Sequence, residues 1–232
     1  VLRRLAHYWG ELPPRRGEPR DKIAAAINVT PGFADACRLI PRARYRGWVE
    51  LMLGLDAKVM ARLGIVADPA AVPVAEKWQQ PDASTWGLST AIPRAREPTV
   101  AIGALCALKM SDNPWWVGVV RRLFRDGEDR AQAGIEVLAK KPATVLLRRI
   151  GHGGLSMQHE SKASDASGND YVNVLVLGAA RVEKQWHELL VARGEFIAGI
   201  VYEAMIGDAK QYFQFEELLE QGNDFERVRF TR

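Results

Sequence analysis

Apolar residues recur along this chain in two rhythms, a helical one confined to the first third and a strand-like one through the rest. Leu2, Leu5 and Trp9 stand at helical spacing, so residues 1–9 read as a short amphipathic helix that Gly10 and Pro13-Pro14 bring to an end. A short strand follows around Lys22–Val29 and closes on Thr30-Pro31-Gly32, which is turn chemistry. Residues 33–40 and 48–63 again carry helical spacing. Trp48, Leu51, Met52, Leu55, Val59 and Leu63 form one stripe, with Gly64 as its stop signal. The stretch from Ala67 to Pro81 has three prolines and little periodicity, and reads as a loop.

From Ser84 onward the pattern predicts strands. Ala101–Lys109, Trp115–Arg122, Ala133–Leu138 and Ala143–Arg148 are strand-length runs rich in Val, Ile and Leu. Asn113-Pro114 and Asp126-Gly127 punctuate them, the second pair being a hairpin signal. Residues 151–170 are rich in Gly and Ser and read as a linker or long loop. Beyond it, Val172–Leu177, Glu188–Val191, Ile200–Met205, Gln211–Glu216 and Phe225–Phe230 are further strand candidates, Phe213 and Phe215 alternating with polar neighbours. Evenly spaced short strands favour a small barrel or sandwich over βαβ units. The expected fold is mainly β with an α-helical insertion at about 33–64: an antiparallel β-barrel over residues 13–150, preceded by the helix in 1–12, joined through 151–170 to a second small β domain over 171–232. The chain starts at Val1 inside an apparent helix, which suggests a piece of a longer protein.

Composition narrows the class. The chain has 232 residues, of which 47% are hydrophobic and 26% charged, enough to bury a core and no sign of large-scale disorder. Two distant cysteines, Cys37 and Cys106, suggest reduced cytosolic thiols, neither a disulfide framework nor a metal set. No apolar run reaches the roughly 18 residues a membrane-crossing helix needs, and no signal peptide is visible. A cytoplasmic protein without a membrane span is expected. The net charge of +4 is unevenly spread: residues 1–46 hold ten Lys/Arg against four Asp/Glu, and 187–232 hold five against nine. A basic front half suits an anionic ligand, and equally a solvated surface.

Two motifs then carry the chemistry. Arg15-Arg16-Gly17-Glu18-Pro19-Arg20 spaces arginines as RxxxR with a spare arginine in front, in an extended segment because Pro19 prevents a helix there. Guanidinium groups grip phosphates through a fixed fork of donors and stack flat on purines. Asp82-Ala83-Ser84-Thr85-Trp86-Gly87 reads D-x-S-x-x-G, and on an extended segment Asp82 and Ser84 offer an acceptor and a hydroxyl on the same side. The plain alternatives are surface charge for the arginines and a turn entering a strand for Asp82, Ser84 and Gly87. Together the two motifs suit a small, doubly anionic, purine-bearing ligand.

RxxxR followed by D/N-x-S-x-x-G resembles the signature pair of the PilZ family, bacterial β-barrel domains most of which bind cyclic di-GMP. Trp115–Arg122 and Ala133–Leu138 resemble that family's later strands, so the resemblance spans residues 13–147. It implies a second-messenger receptor or adaptor, not an enzyme, with no metal or cofactor beyond the ligand. Arg16 and Arg20 would hold phosphate and stack on guanine, with Arg15 adding charge or a second stack. Asp82 and Ser84 would face guanine and phosphate, and Gly87 would allow a tight backbone path. Trp86 stands where the family carries a small residue, and Arg121 is a possible further contact. Ligand would order the arginine linker over the barrel and pass the signal through the C-terminal domain to a protein partner. Residues 21–81 separate the motifs by more than the family's usual spacing, which is the reason an insertion is expected. Trp115-Trp116 reads as barrel core and rim in preference to a stacking platform. The rival readings are a degenerate PilZ-like protein-interaction module without nucleotide and a β-barrel for single-stranded nucleic acid. Among the four histidines no HExxH spacing occurs, and Walker A, G-x-G-x-x-G and G-x-S-x-G sequences are absent.

Overall fold

The computed structural model describes residues 21–40, 73–110, 113–152, 171–178, 187–206 and 209–231. The helices expected at 1–9 and 48–63, the arginine motif and most of the 151–170 segment lie outside these residues. The described residues are mainly β. The first six strands are β1 (Asp21–Pro31), β2 (Glu76–Ala83), β3 (Gly87–Ala91), β4 (Leu105–Lys109), β5 (Trp116–Arg125) and β6 (Ala131–Ala139), with helix α1 (Phe33–Leu39) between β1 and β2. They close an antiparallel barrel in the order β1-β2-β3-β6-β5-β4.

The remaining strands are β7 (Ala143–His152), β8 (Tyr171–Val176), β9 (His187–Ala192), β10 (Ile200–Ile206), β11 (Ala209–Gln221) and β12 (Phe225–Thr231). They close a second barrel in the order β7-β8-β9-β12-β11-β10, the same order as the first. One grouping changes here. β7, placed with residues 13–150 by the sequence reading, pairs with β8 and β10 and so begins the second barrel. A run of Val and Leu fixes that a strand forms, but not which sheet receives it, and Pro142 immediately before β7 is the break.

The proline-rich segment also differs from its reading. It becomes β2 from Glu76 onward, with Pro81 inside the strand. The ladder runs from Lys22↔Asp82 directly to Ala25↔Gln80, so Pro81 sits opposite a bulge in β1, where no amide donor is required of it.

Each barrel has its own interior. Trp78, Leu88, Leu108 and Ile135 fill the first, while Tyr202, Phe213, Phe215 and Phe230 fill the second, with Tyr202 and Phe215 centroids 4.4 Å apart. Six-stranded barrels are narrow enough for side chains alone to fill. A third cluster joins them: Phe33, Cys37 and Ile40 of the α1 segment and Val117 and Val119 of β5 pack against Leu175, Leu190 and Phe225. α1 is therefore wedged between the barrels. Gly32 at its start supplies no capping side chain, and Asp224 of the β11–β12 turn does so, accepting from the Phe33 and Leu105 amides at 2.5 and 3.2 Å.

Candidate functional site

Barrel closure gathers one end of five strands. The start of β1 meets the end of β2 (Asp21↔Ala83, Lys22↔Asp82), and the end of β2 leads into the start of β3 (Ala83↔Leu88). The start of β3 meets the end of β6 (Gly87↔Glu136), which in turn meets the start of β5 (Val117↔Ala139). This rim holds the whole D-x-S-x-x-G motif.

Within the motif, Asp82 is the penultimate residue of β2 and half-buried. The extended segment ends at Ala83, so Ser84 already belongs to the turn. The Ser84 amide and hydroxyl both donate to the Gly87 carbonyl, at 2.6 and 3.2 Å, which closes the hairpin. Gly87 is buried in the ladder. Trp86 packs against the barrel interior, and its carbonyl accepts from the Val137 amide at 3.0 Å. Arg15, Arg16 and Arg20 lie outside the described residues, but Arg20 is bonded to Asp21, whose ladder partner is Ala83.

Arg121 has two carboxylate partners. Its Nε donates to Glu136 at 2.7 Å and its terminal nitrogens to Glu220 of β11, one of them at 2.9 Å. The hydrogen bonds to Glu220 first, then those to Glu136, hold its guanidinium protonated even more firmly than usual. Glu220 reaches Arg227 at 3.9 Å, and Arg227 pairs with Glu188. A charge chain thus runs from Glu136, opposite Gly87, across into the second barrel.

The sequence reading passed over Lys140. Its ammonium lies 5.0 Å from the Trp86 ring centroid and 4.9 Å from that of Trp116. Lys109 stands 5.6 Å over Trp115. Lys22 and Lys141 are exposed, so the rim carries Lys22, Lys140 and Lys141 beside Asp21, Asp82 and Glu136. The only sequence signal was Lys140-Lys141-Pro142 at the end of an apolar run. Among the described residues no group of three His, Cys, Asp or Glu side chains is placed to hold a metal ion, and no helix is long and apolar enough to cross a membrane.

No protein-family model matches the chain, and no curated protein matches it.

Proposed function

We propose that this chain is a receptor or adaptor that binds cyclic di-GMP at the open rim of its first barrel and acts in the cytoplasm on a protein partner. One observation carries the reading. The β1–β2 register sets Asp21, the residue after the RxxxR motif, opposite Ala83, at the centre of D-x-S. The residue that follows the arginine motif is thus next to D-x-S across the ladder, although 61 residues separate the two motifs in sequence. Arg16 and Arg20 grip the phosphates and one guanidinium stacks on guanine, while Asp82 accepts from the base edge. The lysines of the rim add the positive field that draws in a dianion. Ligand charge offsets repulsion among the arginines and orders their segment over the barrel.

Titration calorimetry tests this. Cyclic di-GMP is expected to bind at micromolar or tighter affinity, with the signal lost in Arg16→Ala/Arg20→Ala and weakened at least tenfold in Asp82→Ala. Absence of heat at high protein concentration would end the receptor reading. A second reading, a protein-contact module without nucleotide, is favoured by the Ser84 hydroxyl already donating to Gly87. It predicts that Ser84→Ala and the arginine variants leave partner capture unchanged.

A further inference from the structure

Trp86, Trp116 and Lys140 come from three different elements and meet at one point. Ala139 pairs with Val117, so the next step along the ladder sets Lys140 beside Trp116. Trp86 arrives from the hairpin turn, held by its carbonyl to Val137. The ammonium stands about equally far from the two ring centroids, and all three side chains are half-buried, open to solvent at the rim. Among the described residues no carboxylate pairs with Lys140. A lid that merely closed the barrel would need the rings and the lysine stem, but not a charge that no described carboxylate balances.

Indole faces attract cations through the ring quadrupole, and the same faces stack well on nucleobases. An ammonium is a point charge with three donors on a flexible stem, which lets it move a few ångströms to a phosphate. We infer that Trp86, Trp116 and Lys140 form the second wall of the rim site: a purine ring takes the ammonium's place on the Trp86 face, and Lys140 swings to the phosphate attached to that purine. This rests on the reading of the rim as a guanine-dinucleotide site and adds to it a base-stacking subsite on the Trp86 face. Trp86, a departure from the small residue of the resembling motif, becomes a contact that favours binding.

The test follows tryptophan fluorescence and calorimetry with cyclic di-GMP and, separately, 5′-GMP, on the wild type, Lys140→Met, Lys140→Arg and Trp86→Leu, with thermal unfolding of each to show that the barrel is intact. Cyclic di-GMP is expected to quench wild-type fluorescence. Lys140→Met should weaken its binding about tenfold or more, Lys140→Arg should restore most of it, and Trp86→Leu should cost about tenfold and remove most of the quenching. If cyclic di-GMP binds the wild type and both Lys140→Met and Trp86→Leu equally well, the stacking wall is wrong and the receptor reading stands. If 5′-GMP alone quenches, and does so only with Lys140 present, the wall stands and the cyclic dinucleotide reading falls. Silence towards both nucleotides overturns both.

Discussion

Asp224 and Cys106 show how much a single side chain owes to a distant part of the chain. Asp224 serves the first turn of α1 across 191 positions, and its charge also touches Cys106. Burial first, and the nearby Asp224 second, push the Cys106 thiol up to about 12. The unfolded chain loses that proton near pH 8.5, so the folded protein retains it where the unfolded one does not. The resulting stability is present below about pH 8.5 and is lost as the pH rises towards 12. With Cys37 also buried, a chromogenic thiol reagent at about pH 8 should titrate neither cysteine in the native protein and both after unfolding; an equivalent released from folded protein would contradict the burial. Asp126 is the opposite case. It accepts from the Arg130 and Glu128 amides, which with the Arg130 and Gln132 side chains bring its carboxyl down to about 2. The hairpin it holds was legible from Asp126-Gly127, but the left-handed residue of the turn is Asp129, at φ 59°. The Asp224 cap was not legible, because capping signatures are read over three or four residues and this one spans two barrels.

At the scale of elements, the strands were readable and their ends less so. Apolar residues marked the middle of each strand from β4 to β12, since a barrel strand must bury alternate residues whatever its partners. Boundaries moved where backbone geometry intervened. The strand expected from Ala101 begins at Leu105, after Gly103 at φ 86° turns the chain. β2 was hidden by Pro81, whose meaning depends on a bulge in another strand. The β11–β12 turn shows a comparable dependence. Asn223 donates from its amide to the Gly103 carbonyl at 3.0 Å and from its side chain to the Ile102 carbonyl at 2.9 Å. A Cβ on Gly222 would lie 2.8 Å from that same Gly103 oxygen and 2.1 Å from the Phe225 ring. Gly222→Ala is therefore expected to destabilise by about 1–3 kcal/mol, lowering Tm by several degrees in a thermal melt, whereas alanine at the open Gly194 meets no atom within 4 Å. Gly194 sits at φ 87°, so its own cost comes from backbone strain alone.

The whole molecule is one strand order used twice. No sequence repeat announced it, because barrel packing asks only for apolar residues of the right size at alternate positions. The candidate site is less even: the D-x-S-x-x-G turn between β2 and β3 was legible, and the lysine and tryptophans that surround it were not, since ladder register decides which strand ends meet. The barrels share an apolar seam and the charge chain Glu136–Arg121–Glu220–Arg227–Glu188. Half-exposed ion pairs contribute little singly, so Glu220→Gln should lower stability by no more than about 1 kcal/mol, and less at high salt. Its larger expected effect is on domain coupling: with the Arg121 link cut, proteolysis between the barrels, at Lys140-Lys141, should quicken. An unchanged cleavage rate would leave the coupling to the apolar seam and to the Asp224 and Asn223 hydrogen bonds.

The β1–β2 register has a consequence for engineering. Because ladder pairing and not chain length sets the distance from Asp21 to Ala83, residues can be added between α1 and β2 without separating these two strand ends. A reporter domain spliced there would be joined at its two ends to α1 and to β2, the neighbour of β1 in the barrel. On the receptor reading proposed above, nucleotide binding at the rim would then be read out as a change in light.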